Sequence, residues 1–295
     1  MTVPKVSIVI PSYNGKNLTV NLLNSIKETV YKDYEVIVVD NGSDDGCYEY
    51  VKEHFPDAKA VKIKINRGVT GAWNEGIKNS RGRYIVVMNN DMIVDPNWLT
   101  ELVKVAESDN KIGIVGSVLM DFNSAKTDVI QRLGYVEIDK VILKFVPVAK
   151  DEIYRNQFPD VLKVDHTFGL VKREVIDKIV EFDEKNFMSW DEVDFCYRAK
   201  KFGYTTVTAT KSKIYHIGSV TVKKEPYIRV FHYHKNRIRF MLKNLSLFRK
   251  LVNVPLTLVY YMFEIMFRLV RGDSQYSRAV LNGIFWNIKN VRDYI

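Results

Sequence analysis

The sequence predicts an α/β fold built on a mainly parallel central sheet, with a helical region appended at its C-terminal end. Two observations support this. Apolar runs alternate with helical patterns over the first 222 of the 295 residues, and the excess positive charge lies entirely after them. Since 46% of the residues are hydrophobic, the chain can form a large core, which excludes a disordered protein and a disulfide-stapled mini-protein.

Four early runs are apolar without interruption, which is typical of strands buried on both faces of a parallel sheet. They are Val6–Ile10, Glu35–Val39, Ala60–Ile65 and Tyr84–Met88. Helical patterns separate them, at Asn17–Thr29, Tyr48–His54 and Gly71–Asn79. Because open parallel sheets bind ligands at the carboxyl ends of their strands, we expect the functional residues to follow these runs.

The alternation is looser in the next part of the chain, where 121–160 has few helical signals. The predicted elements are a helix at 97–109, a strand at 112–119, a strand around Lys163–Val171, a helix at Asp191–Phe202 and a strand at Lys213–His216. We therefore expect a domain at 1–222 with halves at 1–95 and 96–222, followed by a separate region at 223–295.

The C-terminal region differs from the rest in charge and composition. Residues 223–295 carry 14 basic and 4 acidic side chains, a net charge of +10, whereas residues 1–222 have a net charge of −1. Three basic, aromatic-rich helices are predicted, at Tyr227–Lys243, Phe248–Val270 and Gln275–Val291. A cationic region of this kind predicts an anionic partner.

The two cysteines, Cys47 and Cys196, are far apart and form no C-x-x-C pair, so neither a disulfide framework nor a thiolate zinc site is indicated. The first apolar run ends at Pro11 after five residues, too short for the apolar core of a secretory signal. We therefore expect a protein of the reducing cytoplasm.

Polar residues follow each early strand. The first loop, Pro11–Gly15, lacks the G-x-G-x-x-G of a dinucleotide site, and it lacks the Gly-rich basic loop that a sugar nucleotidyltransferase would need. Asp40, after the second strand, lies in an acidic turn that either caps a helix or places Asp40 where it accepts hydrogen bonds from a nucleobase, and composition alone favours the cap. Asp91, after the fourth, can hold Mg²⁺ or Mn²⁺, since a helix N-cap at this place fits Asp95 or Asn97 better.

Four ordered motifs at these strand ends, V-S-I-V-I-P-S-Y-N, I-V-V-D-N-G-S-D-D-G, N-x-G-x-x-G-x-x-N-x-G and M-N-N-D, resemble inverting glycosyltransferase family 2 over roughly residues 4–220. The resemblance implies a GT-A fold, a nucleotide-diphosphate sugar donor and a divalent cation, Mn²⁺ or Mg²⁺. The donor-binding residues that it implies are Pro11, Tyr13, Asn14, Asp40, Asn66, Gly71, Asn74 and Asn90. Asn89 and Asp91 would occupy the D-x-D-like metal motif, in which Asn89 replaces the more frequent aspartate and removes one anionic ligand.

The segment Phe187–Arg198 allows a structural and a catalytic interpretation. Ser189 and Glu192 have the spacing of a capping box, and Asp194 and Arg198 that of an i,i+4 ion pair. The segment also resembles the E-D-x-D-F-x-x-R motif, which supplies the general base in this family. Asp191 falls on the motif's Glu and Glu192 on its Asp, so we favour Glu192 as the base, with Asp191 as the alternative.

His216 lies in I-Y-H-I-G-S, which resembles the H-x-G-S element of rhamnosyl- and galactofuranosyl-transferase-like members, where this histidine completes the metal site. An imidazole is an acceptable ligand for Mn²⁺ and would partly compensate for Asn89. Ile130–Gly134 is similar to a stretch of the same subgroup. Rhamnose is therefore the expected sugar, and the expected acceptor is a glycan or a lipid-linked hydroxyl.

In the C-terminal region, Leu251–Phe263 is free of charge for 13 residues, fewer than the roughly 20 that span a bilayer. Its cationic and aromatic flanks predict that 245–295 binds an anionic membrane surface from the cytoplasmic side. Alternatively, these helices pack on the preceding domain or form a homodimer. Asn236–Arg239 resembles the R-N-R-like helix of the family, and nucleic acid is not expected as a partner because no RRM, KH or zinc signature accompanies it.

Two other functions remain open for the whole chain. One is a catalytically inactive scaffold that binds sugar nucleotides or glycans, and the other is a sugar nucleotidyltransferase. The acidic residues Asp91 and Glu192 favour the enzyme over the scaffold.

Overall fold

The computed structural model describes most of the chain, namely residues 4–122, 130–132, 135–138, 145–147, 160–165, 167, 169–218 and 226–294. The described residues form a mixed sheet covered by helices on both faces, followed by C-terminal helices. We call residues 4–218 the body and residues 226–289 the C-terminal helices.

The first half of the body is a parallel α/β unit, as predicted. Its strands are β1 (Val6–Ser12), β2 (Tyr34–Asn41), β3 (Ala58–Ile63) and β4 (Tyr84–Val87). Its helices are α1 (Lys16–Lys27), α2 (Cys47–His54) and α3 (Gly68–Lys78). The strands pair in the order β4-β1-β2-β3, all parallel, so their carboxyl ends and the loops that follow them meet at one edge.

The second half extends this sheet with strands of both directions. Its elements are β5 (Met92–Val94), α4 (Trp98–Ser108), β6 (Ile112–Asp121), β7 (Ile130–Arg132), β8 (Tyr135–Ile138), β9 (Phe145–Pro147), β10 (Val161–Lys163), β11 (Gly169–Lys172), α5 (Arg173–Ile179), α6 (Asp191–Lys201) and β12 (Thr205–His216). The main sheet has the order β10-β12-β6-β11-β4-β1-β2-β3, and β11 runs antiparallel to both β4 and β6. Parallel pairing holds over β1–β4 and again between β6 and β12.

Two separate cores lie on the two faces of the sheet. The helices α1, α2 and α4 cover one face, and α3, α5 and α6 cover the other. The strand β12 is eight residues longer at its N-terminal side than the predicted Lys213–His216, because its first half is rich in Thr, which an apolar pattern does not count although Thr favours strands. The predicted strand at Lys163–Val171 is divided into β10 and β11, and α5 was not predicted.

The C-terminal helices are α7 (Pro226–Asn244), α8 (Leu247–Val270) and α9 (Ser274–Lys289). Trp190 and Val193 of the body share a core with residues of these helices. The alternative that the C-terminal helices pack on the preceding domain is therefore observed. The boundary at residue 222 marks a change in composition, but it does not separate two independent cores.

The sequence expectation for the apolar segment needs a correction. By length and composition, α8 could cross a membrane, a test that core helices of soluble proteins also pass. The charge-free stretch Leu251–Phe263 is shorter than the helix that contains it. The helix has 24 residues in all and includes Pro255 and Glu264. Pro255 lies in the third turn and does not end it.

Candidate active site

A cavity of about 790 Å³ opens at the carboxyl ends of the body's strands, within the size range of small-molecule sites. Residues from the loops after β1, β2, β3 and β4, from the start of α6, from the end of β12 and from the first turns of α7 line it. Asp91, His216, Asp191 and Glu192 all line this cavity. The two acidic groups that the sequence singled out, after β4 and at α6, are therefore brought into one site.

Four of the predicted donor-binding residues, Pro11, Tyr13, Asn66 and Asn90, line the cavity. Asn66 is held by Asn41, whose Nδ2 donates to Asn66 Oδ1 and to the Gly68 carbonyl, both at 3.0 Å. This pair joins the loop after β2 to the loop after β3. Asn41 also lines the cavity and was missed by sequence reasoning, although it stands beside Asp40 in the quoted motif.

Four other predicted donor-binding residues lie outside the cavity lining and form bonds or contacts within the protein. Asp40 Oδ1 accepts from the Ser43 backbone N–H at 2.8 Å, which closes the turn. Asn14 Oδ1 accepts from the Asp44 backbone N–H, and Asn74 exchanges two 2.9 Å hydrogen bonds with the Phe182 backbone. Gly71 faces the Arg67 side chain. Nucleotide contacts of these four residues stay a prediction, and the geometry gives each of them a task in shaping the loops.

The loop after β4 presents its residues in three directions. Asn89 is exposed and lines the cavity. Asn90 also lines it, but its Nδ2 donates to Thr19 Oγ1 at 3.1 Å and to the Gly15 carbonyl at 3.3 Å, which fastens the loop to the start of α1. Asp91 turns toward β12.

Asp91 meets His216 because of the sheet register. β5 pairs with the end of β12 so that Met92 lies opposite His216, and the Asp91 carbonyl accepts from the Ile217 N–H at 3.0 Å. The side chains are 3.2 Å apart, from His216 Nε2 to Asp91 Oδ2. Asp91 Oδ1 is buried and has no hydrogen-bond partner. A buried polar oxygen without a partner is costly, so this carboxylate is suited to a further cationic ligand.

A carboxylate and an imidazole are both accepted by Mn²⁺, and Mg²⁺ takes oxygen ligands together with substrate phosphates. Asp91 and His216 therefore fit a divalent cation. Among the residues that the structure describes, no group of three or more His, Cys, Asp or Glu side chains is arranged as a complete metal site. The protein's share of the coordination is small, and donor phosphates and water would have to supply the rest.

At the opposite wall of the cavity, α6 begins at Asp191. The predicted capping box is wrong. Ser189 and Trp190 have φ values of 67° and 64°, outside the extended geometry of a Ser N-cap, and the N-cap residue, Trp190, makes no side-chain capping hydrogen bond. The predicted pair between Asp194 and Arg198 is present at 2.8 Å.

Asp191 and Glu192 differ in burial. Asp191 is only 6% exposed, and burial, assisted by the neighbouring charges of Glu192 and Asp194, raises its pKa to about 7. Glu192 is less buried and lines the cavity next to it. A pair of adjacent carboxyl groups, one of which keeps its proton into the neutral range, is typical of an acid–base site.

Two cavity residues come from α7, and sequence reasoning did not assign them. Arg229 is exposed in the first turn, and Tyr233 follows one turn later on the same face. Arg229 is the one Lys or Arg among the described residues that line the cavity. The basic, aromatic composition of the helix was the available signal. Two motif segments are only partly covered: Gly134 and Ser219 lie outside the described residues.

Comparisons with known proteins agree with this geometry. The model of the family "Glycosyl transferase family 2" matches residues 7–180, more than half of the chain. An uncharacterised glycosyltransferase of Rickettsia conorii is 32% identical over 169 residues, which are 56% of this chain and 28% of that protein. The chain spans about a quarter of the length of that relative.

Solved structures show the same fold at low identity. A mannosyltransferase from Pyrobaculum calidifontis, solved with GDP-Man and Mn²⁺, has a TM-score of 0.58 at 17% identity, covering 98% of this chain and 88% of that one. GalNAc-T7, solved with UDP, GalNAc and Mn²⁺, has a TM-score of 0.62 at 16% identity, covering 92% and 58%. The predicted GT-A fold is confirmed, and the chain belongs to glycosyl transferase family 2.

Proposed function

We propose that the protein is a metal-dependent inverting glycosyltransferase that moves a sugar from a nucleotide-diphosphate donor to a hydroxyl group of its acceptor. The observation that carries the proposal is that the pair Asp91–His216 and the pair Asp191–Glu192 line one cavity. The first pair suits the cation and phosphates of a donor, and the second suits proton removal from an acceptor.

In the proposed reaction, Glu192 removes the proton from the acceptor hydroxyl as its oxygen attacks the anomeric carbon. The new carbon–oxygen bond forms on the face opposite the nucleotide. The bond between the anomeric carbon and the diphosphate oxygen breaks, and its electron pair leaves with the nucleotide diphosphate. We assign the base to Glu192 because it is less buried than Asp191, which holds a proton into the neutral range. Asp191 remains the alternative base, and paired variants distinguish the two.

Asp91 and His216 would hold Mn²⁺ or Mg²⁺, with Asn89 beside them in the cavity. The cation supplies charge neutralisation for the departing diphosphate. Arg229 reaches the same cavity from α7 and adds a second positive charge for phosphate groups.

The test is a donor panel of UDP-, GDP- and dTDP-sugars with Mn²⁺, read as released nucleotide diphosphate and as a thermal shift on binding. We expect one donor class to give both signals and to lose the release with EDTA. Binding without release in the wild type would support the inactive scaffold instead. Pyrophosphate release from a nucleotide triphosphate would support the nucleotidyltransferase. A retained anomeric configuration in the product, seen by NMR, would contradict the inverting mechanism.

Rhamnose as the transferred sugar, and a glycan or lipid-linked acceptor, are part of the proposal. They are supported by the His216 motif and by the Ile130–Gly134 similarity alone. A dTDP-rhamnose donor in the panel tests the sugar directly. Preference for another donor by tenfold or more in kcat/KM would remove it.

We further propose that α8 rests on an anionic membrane surface. Two of its four buried side chains are polar, while most of its large apolar side chains face outward, which is unlike the usual surface helix of a globular protein. The buried side chains are Asn253, Thr257, Tyr261 and Ile265. The exposed apolar side chains include Phe248, Leu251, Val252, Leu256, Val259, Met262, Phe263, Met266, Phe267 and Val270.

The charges around this face match an anionic lipid surface. Arg249 and Lys250 lie at the beginning of the apolar face, and Arg268 and Arg271 lie at its end. Glu264 is the single acid of α8, and it accepts from Tyr276 Oη at 2.5 Å, so it is turned toward α9. A helix with an apolar face between cationic ends is what binds the headgroup region of anionic bilayers.

Point variants test this contact better than deletion of 245–295, because Tyr261, Ile265 and Val280 belong to a core shared with the body. We expect the double variant F248D/F263D to lose binding to vesicles of phosphatidylglycerol by at least tenfold. Phe202→Asp is the matched control, since Phe202 is 58% exposed on the body. Wild-type protein that stays in the supernatant, or a stable homodimer in light scattering that F248D/F263D disrupts, would overturn the membrane proposal.

A further inference from the structure

The segment 183–190, which leads into α6, has a backbone that its own residues do not favour. Phe187, Ser189 and Trp190 have φ values of 65°, 67° and 64°. Non-glycine residues in this region cost about 1–3 kcal/mol each and persist only where the surroundings impose them. The segment therefore needs external partners, and Asp191 and Glu192 follow it directly.

Asn236 on α7 is the partner with the most contacts to this backbone. Its Nδ2 lies 2.8 Å from the Asn186 carbonyl oxygen, 2.7 Å from that of Met188 and 2.8 Å from that of Ser189. The side chain is 1% exposed, and its Oδ1 is buried without a hydrogen-bond partner. The amide is thus used only through its amino group, whose two N–H donors are shared among three carbonyl oxygens of one turn.

Other α7 residues secure the same segment. The Lys235 ammonium donates to the Lys185 carbonyl at 2.7 Å, and the His232 ring stacks on Phe187 with centroids 4.8 Å apart. Arg239 and Lys243 pair with Asp183 at 2.6 and 2.8 Å. These charges hold the pKa of Asp183 low, at about 2.

The body holds the segment from the other side. The Phe187 carbonyl accepts from the Val69 N–H at 2.7 Å, at the start of α3. The segment is therefore clamped between α3, which begins beside the donor loops, and α7. The α7 side, through Asn236, bonds to the carbonyls of Met188 and Ser189, which stand close to Asp191 in the chain.

We propose that Asn236 is a positioning residue, which fixes the backbone of 186–189 and thereby the direction in which Asp191 and Glu192 enter the cavity. It does not touch the reacting atoms. Without its amino group, three carbonyls in a buried turn lose a donor, and the left-handed residues relax toward ordinary backbone angles. The carboxylates then shift, while the donor loops, joined to one another through Asn41 and Asn66, stay in place. The catalytic consequence rests on the proposed function.

Asn287 provides a matched control. It is also a buried asparagine of the C-terminal helices, and its Nδ2 donates to the Lys235 and Gly283 carbonyls at 2.9 and 2.8 Å. It fastens α9 to α7 without bonding to 183–190. Asn287→Ala therefore measures what the loss of a buried amide does to the helices alone.

The experiment compares Asn236→Ala, Asn236→Ser and Asn287→Ala in the full chain. We expect Asn236→Ala to lower kcat by about 10- to 100-fold with donor KM changed less than threefold, since misplacement of a catalytic group acts mainly on the chemical step. The serine variant, which keeps one donor, should recover part of kcat. Asn287→Ala should lower the Tm by a similar amount and leave kcat within threefold.

Hydrogen–deuterium exchange provides a second measurement that does not depend on any activity. We expect faster exchange in peptides covering 184–195 in Asn236→Ala, and no change there in Asn287→Ala. Unchanged exchange in these peptides, or a kcat that falls equally in both alanine variants, would overturn the proposal. A wild-type protein with no activity toward any donor, but with the expected exchange pattern, would contradict the proposed function and leave the positioning role supported.

Discussion

The two ends of the cavity are built in different ways. At the Asp91 end, the functional side chains follow strands of the sheet, and the register of β5 on β12 brings His216 to Asp91. At the Glu192 end, the carboxylates follow a strained segment outside the sheet, which α7 holds with side chains from about 50 residues away. The first end is fixed by strand pairing, and the second depends on helices that composition alone would place in a separate region.

The largest expected effect is the loss of the proposed base, Glu192. We expect Glu192→Gln to lower kcat by two to four orders of magnitude, the usual contribution of a positioned general base. Asp191→Asn should lower kcat less, because Asp191 is the more buried of the two carboxyl groups and Glu192 is the proposed base. The measurement is single-turnover transfer with the donor found in the panel, and Glu174→Gln, exposed on α5, is the control. Near-normal turnover of Glu192→Gln together with a dead Asp191→Asn would transfer the role to Asp191.

The next prediction concerns the contact between the two ends. Gly68 has a φ of +73°, and an added Cβ would overlap the Phe187 carbonyl oxygen. Gly46 has the same φ of +73°, with nothing within 4 Å of such a Cβ. We expect Gly68→Ala to lower the free energy of unfolding by about 3 kcal/mol and Gly46→Ala by about 1 kcal/mol, because only the first adds a clash to the backbone strain. Denaturant unfolding measures the stability of both variants. Equal losses of stability would show that Phe187 moves away from the added Cβ at little cost.

At the metal end, we expect Asp91→Asn and His216→Ala each to weaken Mn²⁺-dependent donor binding by about 10- to 100-fold, the range found for groups that support a metal site. Calorimetric titration of Mn²⁺ with the nucleotide diphosphate present measures this. Asp95→Asn is the control, since Asp95 accepts from the Asn97 N–H and does not line the cavity. An unchanged titration for His216→Ala would remove this residue from the site.

The smallest expected effect is a difference between Asp191 and Asp183 in how each carboxyl group makes the stability depend on pH. The pKa of Asp191 is raised from about 3.8 to about 7, so the folded state keeps a proton that the unfolded chain releases, and stability falls as the pH rises from about 4 to 7. The pKa of Asp183 is lowered to about 2, so its contribution is present above pH 4 and is lost as the pH falls toward 2.

We therefore expect Asp191→Asn, compared with the wild type, to gain about 1 kcal/mol in relative stability per pH unit between pH 5 and pH 7. Asp183→Asn should be less stable than the wild type above pH 4, and this difference should disappear as the pH falls toward 2. Urea unfolding at several pH values measures both variants. A constant difference between Asp191→Asn and the wild type across this range would show that the Asp191 pKa is not raised.

Much of the first half of the chain could be predicted from sequence. The runs at β1, β2 and β4 are continuous because both faces of these strands are buried, and the loops after them carry the residues that line the cavity. The beginning of α6 at Asp191 was also predicted, but the capping box was not. The spacing of Ser189 and Glu192 is a local pattern, whereas Ser189 has a positive φ and its carbonyl accepts from Asn236 on α7.

Sequence reasoning did not find the hydrogen-bond partners of residues whose partners are distant in the chain. Asn74 and Asn14 have polar side chains in the right motifs, yet their hydrogen bonds go to Phe182 and Asp44. Arg229 and Tyr233 reach the cavity although they belong to the C-terminal helices. The type of a residue predicts which groups its side chain can bind. It does not show which of these groups lie within hydrogen-bond distance in the folded protein.

The sequence by itself determined the fold class, the strand ends that carry Asp91 and His216, and the pair Asp191–Glu192. Hydrophobic periodicity and strand direction are local properties, and they fix which ends of the strands share an edge. Only the tertiary structure decided that His216 meets Asp91 by register, that Asn236 bonds to the backbone of 186–189, and that most of the large apolar side chains of α8 face outward. Those outcomes depend on burial and on hydrogen bonds between residues far apart in the chain, and no local pattern encodes them.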